Sequence, residues 1–278
     1  MLQIGNYNTL RVVKEVDFGI YLDGGEEFGE ILMPTRYVPE GTEVDSEIEV
    51  FIYNDSEDRL IATTEHPYAE VGEFKFLKVK AVNQTGAFLD WGLMKDLLVP
   101  YREQRSKMIE GGTYLVYVYL DAESNRIAAS AKVNKYLDNV MPAYDEGEEV
   151  SLLIAEKTDL GYKAIISNTH WGMIYENEVF TPLEVGSYVK GYIKKVREDD
   201  KIDVSLQKEG YEQVDAISQG ILEKLTEAGG FLAVSDKSAA EMVYHMFGIS
   251  KKNFKKAIGA LYKKKIITIN KEGIRLVK

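Results

Sequence analysis

The sequence reads DFGIYLD at residues 17–23, QTGAFLD at residues 84–90 and DLGYKAI at residues 159–165. Each segment is a turn that leads into a strand-like run, and its glycine lies 67 and then 75 residues before the next one. Self-similarity at such spacing indicates that one structural unit is repeated three times along the chain.

A second element repeats at the same two offsets. It reads RLIAT at residues 59–63, RIAAS at residues 126–130 and KIDVS at residues 201–205. Each unit therefore holds about 60–65 residues of short strands and polar turns, which is typical of an all-β barrel. Five strands in this length predict the OB fold. The predicted units span residues 1–65, 71–138 and 147–210.

A helical period replaces the strand pattern after the third unit. We expect Ser238 and Ser250 to cap the second and third helices of this region, because serine is a preferred helix N-cap. A β-hairpin with its turn at residues 270–273 follows. Three helices and a hairpin predict a winged helix over residues 211–278. The fold class is therefore multidomain and mainly β, with three tandem five-stranded OB-type barrels followed by an α+β winged helix.

The composition and motifs argue against an enzyme. The 278 residues include no cysteine, which excludes disulfides, Cys-ligated zinc and a Cys nucleophile. His66, His170 and His245 are scattered without metal-ligand spacing, and neither a phosphate-binding loop nor a nucleophile elbow is present. We therefore predict no catalytic residues, no metal and no cofactor.

The termini and hydropathy predict a cytoplasmic protein. The N-terminus has neither the basic start nor the apolar core of a secretion signal. No apolar stretch approaches the roughly 18 residues that a membrane span requires, so no membrane partner is expected. The sequence shows no dimer seam, and a monomer is the default expectation.

The charge is distributed unevenly. The net charge is −11, which by itself argues against a polyanionic partner. Residues 212–278, however, carry 12 Lys+Arg against 7 Asp+Glu, whereas residues 1–211 carry 22 against 38. Residues 251–278 hold 10 Lys+Arg and a single acid, Glu272. A lysine-rich helix face is usually only solvated, but this density favours a binding surface for a polyanion.

The repeat resembles the ribosomal S1-type RNA-binding repeat, which joins an aromatic-Gly-x-aromatic turn to a Gly-hydrophobic-hydrophobic-His segment. FGIY at residues 18–21 carries the turn, and GMIYENEV at residues 172–179 carries the middle segment. Three such units before a winged helix with ISKKNFKKAIGALY at residues 249–262 resemble the conserved virulence factor B (CvfB) family of Gram-positive bacteria. This resemblance covers essentially the whole chain. It implies single-stranded RNA binding and post-transcriptional control of gene expression, including virulence genes.

Strand alternation identifies candidate contacts to RNA. Because successive strand residues face opposite sides, Tyr21, Phe88 and Lys163 should point outward at one equivalent position of the three repeats. Bases stack on outward rings for roughly 1–3 kcal/mol each, although Tyr and Phe are also common in strands for packing reasons. Tyr175 lies where the S1-type pattern has His, and both rings can stack on a base.

Electrostatics decides which units should bind. Residues 1–64 carry 4 basic and 14 acidic residues, residues 71–138 carry 10 and 8, and residues 147–210 carry 8 and 12. Phosphate neutralisation supplies most non-specific affinity, so the first unit is expected to be a spacer or a protein-contact module. The predicted RNA-binding residues are Phe88, Arg126, Lys163, Tyr175, Lys190, Tyr192, Lys194, Lys195, Lys201, Lys252, Lys255, Lys256 and Lys263, with Phe18 and Tyr21 as weaker candidates.

Two alternatives remain open from the residues alone. A DNA-binding transcription regulator would read a groove with the last helix, but lysine reads bases poorly and Asn253 is the only better reader there. A protein-interaction scaffold with degenerate OB units would explain the acidic N-terminal unit. The segments Glu65–Glu70 and Asn139–Gly147 join repeat units, and we expect both to be flexible.

Overall fold

A computed structural model describes residues 2–176, 179, 182–207 and 211–277, and it describes side chains for these residues except 211–216. The chain divides into two compact units, Met1–Asn139 and Val140–Lys278. Where the chain is described, no helix combines the length and the apolar character that a membrane crossing requires.

The first unit begins with a closed five-stranded barrel. Its strands are β1 Tyr7–Val16, β2 Gly19–Asp23, β3 Glu30–Pro34, β4 Glu47–Asn54 and β5 Leu60–Thr63, with a short helix, α1, at Gly25–Phe28. The strand order is β1-β2-β3-β5-β4, and antiparallel pairing of β1 with β4 closes the barrel. Alternate apolar side chains such as Ile20, Leu22, Val50 and Ile52 fill the interior, as the alternation predicts.

A second barrel follows in the same unit. Its strands are β6 Phe74–Val82, β7 Gly86–Asp90, β8 Leu97–Pro100, β9 Thr113–Leu120 and β10 Ile127–Ser130. The hydrogen-bonded order is β10-β9-β6-β7-β8, which is the order of the first barrel opened between β8 and β10. These two edge strands lie against each other, so the sheet still curves around one core.

The two barrels share a continuous hydrophobic cluster. Phe51 and Tyr53 on β4 alternate with the interior residues and therefore point out of the first barrel, yet both are buried. Trp91 of the second barrel covers them, with ring centroids 5.9 Å from Phe51 and 6.5 Å from Tyr53, both edge-to-face. The outside of the first barrel is thus part of the core that joins it to the second.

This packing overturns the expected flexibility of Glu65–Glu70. Ala69 within the segment is buried, and the backbone N–H of Tyr68 donates to the Trp91 carbonyl at 2.7 Å. The His66 Nδ1 is hydrogen-bonded to the Tyr7 hydroxyl at 2.5 Å. The prediction was wrong because a segment between repeats is flexible only when neither repeat buries it.

The second unit contains another closed barrel. Its strands are β11 Glu149–Thr158, β12 Gly161–Ile166, β13 His170–Tyr175, β14 Tyr188–Val196 and β15 Ile202–Ser205. The order β11-β12-β13-β15-β14 repeats that of the first barrel. Leu152, Ile154, Ala164 and Ile193 are among the buried residues of its core.

The winged helix completes the second unit. It consists of α2 Tyr211–Glu227, β16 Phe231–Leu232, α3 Ala240–Phe247, α4 Lys251–Lys263, β17 Ile267–Ile269 and β18 Ile274–Leu276. Phe254, Ile258 and Leu261 recur at helical spacing on α4 and are buried, so α4 packs by one apolar face. The three strands form one small sheet in the order β16-β18-β17.

One helix cap is as expected and the other is not. Ser250 is the N-cap of α4, and its hydroxyl accepts the backbone N–H of Asn253 at 3.2 Å. Ala239 is the N-cap residue of α3, without a side-chain cap. The Ser238 prediction was wrong because its hydroxyl accepts the backbone N–H of Ser235 at 2.9 Å instead.

The glycine that recurs in each repeat is required for a steric reason. Gly19 and Gly161 open the second strand of their barrels at φ +155° and +140°. A Cβ at Gly161 would meet the Ile174 carbonyl oxygen at 2.0 Å, and one at Gly19 would meet the Met33 oxygen at 2.2 Å. The backbone of the next strand thus passes where a side chain would begin, which only glycine permits.

Candidate nucleic-acid interface

The second barrel carries a groove of about 660 Å³ on its outer face. Phe88 on β7, Leu98 on β8 and Tyr119 on β9 contribute the apolar part of its lining. Phe88 and Leu98 are paired across the two strands and half-buried. Aromatic rings beside an aliphatic side chain on adjacent strands form an apolar surface on which bases can stack.

Further aromatic rings support Tyr119 from behind. Its ring stacks on Tyr136 at 5.9 Å, and Tyr136 stacks on Tyr117 at 4.0 Å. Burial, reinforced by the nearby Glu103 carboxylate, raises the pKa of Tyr119 to about 12. Its hydroxyl is protonated at physiological pH, as in any tyrosine, and can donate a hydrogen bond. Tyr119 is not among the residues predicted from the sequence, although the strand alternation that places Phe88 outward applies equally to β9.

Cations line the rim of the same groove. Arg102, Lys95 and Arg126 contribute to the lining. Arg126 forms an ion pair with Asp58, which lies in the hairpin between β4 and β5 of the first barrel. The predicted role of Arg126 in RNA binding stays a prediction, and any phosphate there must compete with this carboxylate.

The third barrel presents an equivalent outer face. Lys163 on β12 points outward, and its Nζ lies 3.8 Å from the centroid of the Trp171 ring. Trp171, Met173 and Tyr175 alternate with buried residues along β13 and share one face. Lys163 and Tyr175 are predicted from the sequence, whereas Trp171, four residues before Tyr175 on the same face of β13, is not.

Strand β14 presents a row of basic and aromatic side chains on the outside of the third barrel. Gly191 and Ile193 are buried, whereas Lys190, Tyr192 and Lys194 lie on the outward face, as the alternation predicts. The acid Glu149 on β11 holds two of them: Lys190 Nζ is 2.8 Å from its Oε1, and the Tyr192 hydroxyl donates to its Oε2 at 3.3 Å. The hydrogen bond to Glu149 raises the pKa of Lys190.

Two further predicted cations lie near the end of the third barrel. Lys195 is exposed on β14, and Lys201 precedes β15. The Lys201 Nζ is 2.7 Å from Asp199 of its own hairpin tip, with both side chains more than half exposed. An exposed pair of this kind contributes little to stability, so Lys201 can exchange its carboxylate for a phosphate at small cost.

The exposed side of α4 is formed by lysines. Lys252, Lys255, Lys256 and Lys263 are exposed, opposite the buried face of the helix. Among the described residues, none of these four has a hydrogen bond or an ion pair with a carboxylate. We call this set the lysine face of α4.

Asn253 does not extend the lysine face. Its Nδ2 donates to the Gln207 Oε1 at 3.3 Å, just beyond the last strand of the third barrel. The one amide on α4 that could read a base edge is therefore engaged within the protein, which disfavours base-specific reading by this helix.

The first barrel is the weakest of the three surfaces. Phe18 is 58% exposed and packs edge-to-face on Tyr21 at 6.4 Å. The Lys14 Nζ lies 4.5 Å from the Tyr21 ring centroid, and the same nitrogen forms an ion pair with Glu30. Phe18 is exposed and Tyr21 is half-buried, and Lys14 beside Tyr21 is already paired with Glu30.

Comparison with known proteins gives the domains their families. The S1 domain family matches residues 4–65 and 71–132, and the CvfB-like winged helix domain matches residues 219–276. The third barrel has the strand order of the first. The chain is thus a protein of tandem S1-type barrels followed by a winged helix.

Whole-chain relatives agree with this class. Conserved virulence factor B of Staphylococcus haemolyticus is 29% identical, with 99% of this chain and 95% of that protein covered. The Staphylococcus saprophyticus protein of the same name is 27% identical, with 84% and 81% covered. The uncharacterized protein YitL of Bacillus subtilis is 29% identical, with 93% and 89% covered. The chain is thus similar to conserved virulence factor B proteins along most of its length, and its C-terminal domain matches the CvfB-like winged helix domain.

A solved structure also aligns along the chain. It is a multidomain protein with nucleic acid binding domains from Streptococcus pneumoniae, 22% identical, with 99% of this chain and 98% of that chain covered. The TM-score is 0.41.

Proposed function

We propose that this protein is a non-enzymatic, cytoplasmic RNA-binding regulator that acts after transcription, including on virulence genes. It binds single-stranded RNA as a monomer, through the outer faces of the second and third barrels and through the lysine face of α4. Phe88, Tyr119, Trp171 and Tyr175 offer rings for bases, and the lysines neutralise phosphates.

The observation that carries the proposal is the cluster of unpaired lysines on one face of α4. In the barrels, several cations, among them Arg59, Arg126, Lys135 and Lys190, are held by carboxylates in ion pairs. The lysine face of α4, in the described part of the chain, has no such partner. Unpaired lysines on one helix face concentrate positive charge. A polyanion can bind them without first displacing a protein carboxylate.

The test compares the full chain with the variant K252A/K255A/K256A. Binding of a labelled single-stranded RNA of about 20 nucleotides is followed by fluorescence anisotropy at several salt concentrations. Three lost phosphate contacts should reduce the slope of log affinity against log salt by about 2, at roughly 0.7 per contact. The variant K252R/K255R/K256R is the matched control and should bind like the native chain, because it keeps the charge.

Binding to a matched DNA duplex separates the RNA-binding proposal from the two alternative functions. Tighter binding to the duplex than to RNA would make the winged helix a DNA reader and contradict the proposal. Binding to neither nucleic acid near physiological salt would support a protein-interaction scaffold instead. An unchanged salt slope in the alanine variant would remove α4 from the interface.

A further inference from the structure

The basic residue that opens the closing strand of each repeat makes a different ion pair in the second barrel. Arg59 in the first barrel pairs with Asp55 of its own hairpin tip at 2.7 Å, and Lys201 in the third pairs with Asp199 of its own tip. Arg126 occupies the same repeat position but pairs with Asp58 of the preceding barrel. In the first and third barrels this basic residue pairs within its own hairpin tip, and in the second barrel it does not.

In the tip of the second barrel, Asp121 has other partners. It accepts the Ser124 hydroxyl at 2.8 Å and lies 3.5 Å from the Arg102 guanidinium. These partners, with the Ser124 hydroxyl and backbone first, hold the pKa of Asp121 below its usual range. Arg126 thus pairs with Asp58, whereas Asp121 of its own tip is held by Ser124 and Arg102.

The same Asp58 carboxylate also holds Lys95. The Lys95 Nζ is 3.2 Å from Asp58 Oδ1, and it donates to the Asp55 carbonyl at 2.6 Å. Two cations from separate segments of the second barrel, Lys95 and Arg126, converge on one anion. Convergent cations that share one oxyanion are the arrangement by which proteins bind phosphate groups.

The tip that supplies the anion is held in shape by its own contacts. Asp58 has φ +63°, in the left-handed region. The Asp55 carboxylate accepts the backbone N–H groups of Glu57 at 2.9 Å and Arg59 at 3.0 Å. The tip therefore presents Asp58 as a fixed anion rather than as a mobile surface acid.

This anion lies in the groove that the proposed function assigns to RNA. Asp58, Lys95 and Arg126 line the same groove as Phe88 and Tyr119. A strand whose base stacks on those rings would bring its phosphodiester to the two cations. The position that a phosphate would take there is filled by a carboxylate of the neighbouring barrel.

We propose that Lys95 and Arg126 form a phosphodiester site on the second barrel, and that Asp58 of the first barrel occupies it until an RNA strand displaces the carboxylate. The inference rests on the proposed function for the identity of the ligand. It gives the acidic first barrel a role, because an RNA strand must bind tightly enough to displace the Asp58 carboxylate of that barrel. The chemistry recognised is the phosphodiester of a single strand.

The test measures RNA binding by the full chain with Asp58→Asn. Asparagine tolerates the left-handed conformation, so the tip keeps its shape while losing its charge. Releasing two cations should raise affinity on the order of tenfold at low salt and steepen the salt slope by about 1.4, at roughly 0.7 per contact. Asp58→Gly is the second variant, because glycine adopts positive φ freely.

Matched variants separate a local effect from a change in net charge. Asp17→Asn removes one exposed acid of the same barrel and should change affinity by less than twofold. The gain from Asp58→Asn should disappear when it is combined with Phe88→Ala, or with Lys95→Ala and Arg126→Ala together. The first combination removes one stacking ring of the groove, and the second removes both cations of the proposed phosphodiester site.

Each outcome decides between the two proposals. Equal affinities for Asp58→Asn, Asp58→Gly and Asp17→Asn would overturn the inference and leave Asp58 a structural tie between barrels. A gain that persists with Phe88→Ala would overturn its placement in this groove. If the native chain fails to bind but Asp58→Asn binds, the inference stands and the role proposed for the α4 lysines fails. If no variant binds RNA, both proposals are refuted.

Discussion

Replacing Trp91 by alanine should destabilise both barrels of the first unit together. The Trp91 side chain is 2% exposed, and it packs on Phe51 and Tyr53 of the other barrel. Its indole N–H donates to the Lys95 carbonyl at 2.6 Å. A ring that bridges two barrels couples their stability, so its loss should not stay confined to the barrel that carries it.

The expected size follows from these contacts. Truncating a buried Trp to Ala costs about 3–5 kcal/mol, since transfer and cavity terms add. Each edge-to-face pair contributes about 0.5–1.5 kcal/mol of this, and the hydrogen bond about 1 kcal/mol. We therefore expect the free energy of unfolding of the first unit to fall by about 4 kcal/mol.

Hydrogen exchange read by mass spectrometry is the assay, because it reports each barrel separately. Peptides from β4 and β5 should lose protection by the same free energy as peptides from β6 and β9. Met94→Ala is the matched control on the same loop. Met94 is 65% exposed, and its loss should change stability by less than about 0.5 kcal/mol.

Two results would refute this reasoning. Loss of protection in the second barrel alone would show that the barrels are independent modules that merely touch. A change below about 1 kcal/mol in both would show that the packing of Trp91 contributes little, against the usual cost of truncating a buried aromatic ring.

Three further predictions concern individual residues. Burial alone would raise the pKa of Glu103, but hydrogen bonds from a serine hydroxyl and from Lys135 hold it below its usual 4.5. A carboxyl whose pKa is lower in the folded state than in the unfolded state stabilises the fold at pH values above its unfolded-state pKa, and this contribution is lost as pH falls. Glu103→Gln should therefore cost about 2 kcal/mol at pH 7. In urea titrations this cost should shrink below pH 4, and a pH-independent cost would contradict it. Gly161→Ala should destabilise the third barrel by about 2–4 kcal/mol by forcing a strand apart, measured by urea unfolding followed through Trp171; native-like unfolding would refute the clash. Glu149→Gln should strengthen RNA binding in anisotropy titrations by freeing Lys190, and weaker or equal binding would count against the basic and aromatic row of β14.

The repeat architecture could be predicted because it depends on local pattern. Alternation on β2, β7 and β12 correctly separated interior residues such as Leu22, Leu89 and Ala164 from the outward residues between them. The same rule places Lys190, Tyr192 and Lys194 on the outward face of β14. Face assignment requires only the period of the strand, and the period is written in the sequence.

The candidate sites could be predicted only in part, because ion pairing depends on residues distant in sequence. Arg126 and Asp58 are 68 positions apart, and the sequence shows each only as a residue near a polar tip. The lysine face of α4 was predictable because its residues are neighbours on one helix. Its lack of carboxylate partners in the described chain required the structure.

The sequence by itself determined three OB-type barrels, the winged helix and the direction in which each strand residue points, because strand and helix periods and a glycine-demanding turn are local properties. Only the tertiary structure decided that the first two barrels share one core, because the sequence does not show that Phe51 and Tyr53 of β4 contact Trp91 of the second barrel. It also decided which cations are neutralised, since a charge pair is set by distance in space. Local chemistry determined the elements, and long-range packing determined which of their surfaces remain available.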